Sequence, residues 1–125
     1  MKYYIIQEIG YEYNDEIYHQ SNSGGGTPVK VFKSKSDAQA EVDKLNFNKF
    51  QTEPLCQYTY SLDDIISNVE EFCEKLSKIA GKEINSEDIE GDYEFTLPKM
   101  SVKEFNSIKN MIDLSFYEIV ECDGE

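Results

Sequence analysis

The sequence predicts an α+β fold: a mostly antiparallel sheet, made of an N-terminal meander plus two C-terminal strands, packed by about three helices. Three observations carry this expectation. The N-terminal third alternates β-branched and aromatic residues with polar ones between turn signals. Later segments repeat apolar residues at three- and four-residue spacing, and the two-residue alternation then returns near the C-terminus. Neither an internal repeat nor a linker interrupts the 125 residues, so a single domain over 1–125 is expected, with one hydrophobic core.

Residues 2–13 read as one long strand, with Tyr3, Ile5, Ile9, Tyr11 and Tyr13 on one face and Gly10 marking a bulge. Asn14 and Asp15 tolerate tight-turn dihedrals, and Ile17, Tyr18 and His19 return as a second strand. The stretch Ser21–Pro28, with its triple glycine, reads as a loop before a short strand over Val29–Phe32.

A first helix is expected after Ser34, whose hydroxyl pairs with Asp37 as a cap; Ala38, Val42 and Leu45 form its inward stripe and Asn46 its stop. The segment from Phe47 to Tyr60 is ambiguous, with Tyr58–Tyr60 as a brief strand. A second helix is expected from a Ser61 cap to Gly81, about 28 Å long at the helical rise. Its apolar face carries Leu62, Ile65, Ile66, Val69, Phe72, Cys73, Leu76 and Ile79. Tyr93, Phe95 and Leu97 then alternate with polar residues as a half-buried strand ended by Pro98. Ser101 and Glu104 form a capping box, with Met100 and Phe105 as a staple and Val102, Phe105, Ile108 and Ile112 facing inward. The last strand, Phe116–Cys122, is apolar on both faces, as an interior strand would be.

Charge narrows the function classes. The chain has 25 Asp and Glu against 12 Lys and Arg, a formal net charge of −13, with His19 as its one histidine. Such an imbalance repels nucleic acid and anionic membranes and steers cationic partners. The acids are blocky: Glu83, Glu87, Asp88, Glu90, Asp92 and Glu94 follow Lys82 without an intervening base. Glu8 stops the opening apolar run, so a signal peptide is not expected, and no run approaches a membrane span. Cys56, Cys73 and Cys122 are an odd set without C-x-x-C spacing, which argues against a disulfide framework or a zinc site and for a reducing, cytoplasmic setting.

Motifs for chemistry are incomplete. Gly24, Gly25 and Gly26 run into Thr27, Pro28 and a strand, without the lysine–hydroxyl pair and helix of a phosphate loop. The segment from Ser86 has calcium-loop spacing in part, but its twelfth position is Leu97 where a bidentate glutamate should stand; an acidic solvated loop is the plainer reading. No serine lies in a nucleophile elbow, so His19 has no visible triad. Glu8 and Glu12 share a strand face near Asp15 and Glu16, the raw material of acid–base chemistry, although an acid-rich chain juxtaposes carboxylates by chance. Nine tyrosines and no tryptophan complete the picture, and five of them, Tyr3, Tyr4, Tyr11, Tyr13 and Tyr18, crowd the first hairpin. Tyrosine gives recognition surfaces large contact area at small entropic cost.

The stretches Glu8–Glu16 (E-I-G-Y-E-Y-N-D-E) and Gly25–Phe32 (G-G-T-P-V-K-V-F) resemble a family of small uncharacterised bacterial proteins, which pair such a hairpin with a G-G-x-P-x-x-x-F strand and a following helix. The closing Phe116–Glu121 is similar to the end of those proteins. The resemblance implies a bacterial intracellular protein and transfers no catalytic residue.

The expected function is therefore a non-enzymatic acidic protein-binding module, one version being an inhibitor or immunity-type protein that covers a basic site. Tyr4, Glu8, Glu12, Asp15, Glu16, Tyr18, Gly24, Gly25 and Gly26 are the candidate partner-binding residues. The expected partner is a basic protein, with no nucleic acid, membrane, cofactor or metal. A small carboxylate-based enzyme or ligand-binding domain, and a homo-oligomeric structural subunit, are the alternatives.

Overall fold

Among the described residues the backbone answers the α+β expectation with one three-stranded and one two-stranded antiparallel sheet and four α-helices. The computed structural model describes residues 1–13, 15–20 and 26–124. Strands β1 (Lys2–Glu8), β2 (Tyr11–Tyr13), β3 (Tyr18–Gln20) and β4 (Thr27–Phe32) precede helix α1 (Lys35–Phe50). Helices α2 (Val69–Ala80), α3 (Ser86–Glu90) and α4 (Val102–Asn106) follow, and β5 (Tyr117–Asp123) closes the order. The expected long strand divides at Gly10, because β1 and β2 pair with different partners. The residues form two compact units, 1–12 with 20–49 and 115–125, and 13–19 with 50–114. No described helix is long and apolar enough to cross a membrane.

In the first unit the sheet order is β4-β1-β5, all antiparallel. The last strand was expected in the interior; it lies at an edge, and β1 takes the centre. The apolar pattern of β5 arises from half-burial on both faces rather than from two flanking strands. Ile6 stands opposite Lys30 on β4 and Ile119 on β5, so the three share a face. An ion pair from Lys30 to Glu41 of α1, at 3.3 Å, identifies that face as the helix side. Register slips at Ile6/Gln7, beside Pro28 on the other edge strand, where a missing N–H is tolerated.

Helix α1 starts as expected, with the Ser34 hydroxyl accepting from the Asp37 N–H at 3.3 Å and Ala38 and Val42 buried. Asn46 does not stop it. Its side-chain oxygen accepts from the N–H groups of Phe116 and Tyr117, both at 2.9 Å, while its amide donates to the Tyr117 carbonyl at 3.1 Å. An asparagine that finds strand partners no longer competes with its own helix.

The second unit departs more from expectation. Its long helix begins at residue 69 instead of 62, because the backbone of residues 65–67 pairs elsewhere. The Ser67 N–H donates to the Met111 carbonyl (2.9 Å), the Asp113 N–H to the Ile65 carbonyl (2.6 Å), and Ile66 bridges Ile112. Adjacent β-branched isoleucines suit that extended pairing. Ser61 consequently caps only a 3₁₀ turn over Leu62–Asp64, without a side-chain bond, and Asn68 caps α2 through the Glu71 N–H at 3.1 Å. The far end is as expected: Gly81 adopts φ 72°, which glycine reaches without strain.

Residues 92–97 form no strand. The Asp92 carboxylate accepts the Glu94 N–H at 2.9 Å and its carbonyl the Phe95 N–H at 3.0 Å, a side-chain-stabilised turn that leaves Tyr93 74% exposed. Tyr58–Tyr60 is likewise not a strand but irregular chain after a 3₁₀ turn over Leu55–Gln57. Ser86–Glu90, expected as a loop, is helical because Asn85 and Asp88 form a reciprocal capping box. The Ser101–Glu104 box forms as expected, yet α4 ends at Asn106, Val102 is exposed, and Ile112 serves the bridge.

Candidate functional site

The second unit contains a cleft of about 670 Å³, and side chains from three separate segments meet there. The hairpin segment contributes Tyr13, Asp15, Glu16 and Tyr18; the stretch after α1 contributes Cys56, Thr59 and Tyr60; the end of α3 and the turn beyond it contribute Glu90 and Tyr93. Asp15 holds a left-handed φ of 75°, a conformation aspartate tolerates in turns.

Aromatic rings build one wall. Tyr13 and Tyr18 approach with centroids 5.1 Å apart, and Tyr18 meets Tyr58 at 5.7 Å, both tilted. Such spacing lies in the favourable range for ring pairs and orders the wall before any ligand arrives. Tyr60 donates its hydroxyl to the Glu16 carboxylate at 2.5 Å, so ring and acid orient each other. Tyr13, Tyr60 and Tyr93 all remain largely exposed.

Carboxylates supply the polarity: Asp15, Glu16 and Glu90 line the cleft, and none of its described lining residues is Lys, Arg or His. At the floor, Thr59 is buried with its hydroxyl donating to the Ser61 carbonyl at 2.6 Å. The buried Cys56 thiol donates to the Ile89 carbonyl at 3.1 Å. Burial chiefly, and then Glu90 and Asp92, push the Cys56 thiol above its ordinary pKa. A thiol held protonated is a poor nucleophile, so Cys56 serves the floor as packing.

A second groove, about 600 Å³, runs along α2 beside residues 83–86. Its Cys73 is raised in pKa by burial and then by Asp88 and Glu90. The Ser77 hydroxyl there lies 2.7 Å from the Cys73 carbonyl while accepting the Ile84 N–H at 2.8 Å. Both side chains are committed to packing.

Of the residues singled out from sequence, Asp15, Glu16 and Tyr18 meet in the cleft. Tyr4, Glu8, Glu12 and Gly26 belong to the first unit. Tyr4 is half-buried on β1 opposite Phe32 and Glu121; Glu8 and Glu12 are exposed. Gly26 has a packing reason, since a Cβ there would overlap the Glu8 carbonyl. Gly24 and Gly25 lie outside the described residues. Sequence reasoning missed Tyr60, Glu90 and Tyr93 as site residues. The visible signals were the continuation of the tyrosine excess beyond the first hairpin and, for Glu90, the acidic block after Lys82.

Comparison with protein-family models, curated proteins and solved structures returns no match to this chain.

Proposed function

We propose that this chain is a non-enzymatic acidic module that docks on a basic protein, and in one version acts as an inhibitor covering that protein's basic site. One observation carries the reading: a tyrosine-walled cleft with three carboxylates and no cation among its described lining residues, on a chain of net charge −13. Fields of one sign raise encounter rates with partners of the other, and aromatic side chains with polar tips add contact area. The bacterial, cytoplasmic setting implied by the sequence resemblance belongs to this proposal, and the three free thiols suit it.

The carboxylate-enzyme alternative has less support. Glu8, Glu12 and Asp15 are all exposed, and of the three only Asp15 lines the cleft. Self-association is favoured by one feature, the exposed Val29 and Val31 on edge strand β4, and opposed by the repulsion of like-charged copies. Light scattering across concentration separates it.

The docking reading is tested by immobilising the chain beside polyglutamate of matched charge and passing a bacterial lysate at low salt. The expected result is a basic protein retained by the chain beyond the polyglutamate control and released as salt rises. Retention no greater than on polyglutamate overturns the reading.

A further inference from the structure

We infer that the cleft of the second unit receives an arginine side chain from a basic segment of the partner. This rests on the docking reading and adds the chemistry of the contact. Three features of the cleft converge on a guanidinium. First, Tyr18, Tyr60 and Tyr93 present aromatic rings at its walls, and ring faces attract cations. Second, Asp15, Glu16 and Glu90 supply carboxylates to the same space, and the described lining residues include no lysine, arginine or histidine. Third, about 670 Å³ exceeds what one side chain fills and leaves room for the flanking backbone of a peptide.

Arginine fits better than lysine for a geometric reason. Its guanidinium is planar, stacks on aromatic rings, meets carboxylates with two parallel N–H bonds, and is more weakly hydrated than an ammonium. The Tyr60–Glu16 hydrogen bond holds ring and acid in a fixed relation, so a planar cation meets a prepared surface.

The experiment uses the full chain and three peptides of one sequence, Gly-Ser-X-X-Gly-Ser, where X is arginine, lysine or the neutral isostere citrulline. Tyrosine emission reports binding, because the chain has nine tyrosines and no tryptophan. The arginine peptide is expected to bind about 10-fold tighter than the citrulline peptide and about 3-fold tighter than the lysine peptide. Tyr60→Ala and Glu90→Gln should each weaken it at least about 3-fold, and Tyr60→Phe, which keeps the ring, should weaken it less than Tyr60→Ala. Glu74→Gln, the same charge change on α2, should leave affinity unaltered. All these side chains are exposed, and far-UV circular dichroism confirms folding of each variant.

Equal affinity for arginine and citrulline peptides overturns the inference, as does a Glu90→Gln effect no larger than that of Glu74→Gln. Free L-arginine binding as tightly as the peptide overturns the assignment to a protein partner. Basic-protein retention that survives in Tyr60→Ala and Glu90→Gln leaves docking standing while removing the cleft from it. Loss of retention by the unmodified chain removes both.

Discussion

The two units of this molecule reach stability by different routes, and the contrast bears on why the second of them forms the tyrosine-walled cleft. The first unit joins the two ends of the described chain through regular strands: β1 pairs with β5 from Lys2↔Asp123 to Glu8↔Tyr117. Of the eighteen buried apolar residues among those described, it contributes Ile6, Ala38, Val42 and Phe116, and the other fourteen belong to the second unit. There short helices and 3₁₀ turns surround Leu62, Phe72, Leu76, Ile89 and Ile108, all at 0% or nearly so. Paired strands satisfy backbone groups in flat ladders; irregular chain packed on a core leaves concave junctions between segments. Sites accumulate on such junctions because a rigid core positions the loops that form them.

Core truncation tests the contrast with the largest effect. Phe72→Ala in the second unit is expected to cost about 3–5 kcal/mol in urea unfolding, and Ile6→Ala in the first about 2–5 kcal/mol. A cost for Phe72→Ala below about 1 kcal/mol contradicts a packed core there. Asn46→Ala comes next: it strands the Phe116 and Tyr117 N–H groups at the start of β5, with an expected loss of about 2 kcal/mol and faster hydrogen exchange at those two amides. If exchange there is unchanged, the side-chain bracket is not what holds β5 to α1.

Caps of the second unit should matter less. Asn68→Ala removes the acceptor for the Glu71 N–H, and Gly81→Ala forces a side chain into positive φ; each is expected to cost about 1 kcal/mol, read as a shift in urea midpoint. An equal cost for Asn46→Ala and Asn68→Ala would erase the distinction between a strand bracket and a helix cap.

The smallest effects are in pH. Folding raises the Cys56 and Cys73 pKa values, chiefly by burial, so the folded chain holds those protons longer. Their contribution is complete below the unfolded thiol pKa, about 8.5, and is lost as pH rises through the folded values. Tyr11 in the first unit, raised by burial and then Glu118 and donating to the Ser115 carbonyl at 2.6 Å, follows the same sign above about pH 10. Stability should therefore fall in two steps, the second unit's thiols first, followed by urea unfolding at stepped alkaline pH. Alkylation at pH 8 should reach half-exposed Cys122 well before buried Cys56 and Cys73.

Legibility followed the range of the interactions. Strand β4, the Ser34 start of α1, the Gly81 end of α2 and the Ser101–Glu104 box were all readable, because each depends on residues a few positions apart. The failures share a cause. Asn46 looks like a helix stop until strand residues seventy positions away occupy its amide. Ile65 and Ile66 carry helical spacing, but residues 111–113 claim their backbone. Tyr93 alternates like a strand residue, while the Asp92 side chain captures the local backbone into a turn. Part of the site was visible as Asp15, Glu16 and Tyr18; Tyr60, Glu90 and Tyr93 come from segments whose local patterns do not tie them to the hairpin.

Charge, tyrosine content, the Ser34 and Ser101 caps, the Gly81 helix end and the α+β class were thus settled along the chain, where neighbouring residues fix local geometry. Which strand occupies the centre of the sheet, where α2 begins, and which acids meet which rings required the fold. Those outcomes depend on contacts between residues distant in sequence, whose gain in burial and hydrogen bonding outweighs the modest local preferences that a linear reading detects.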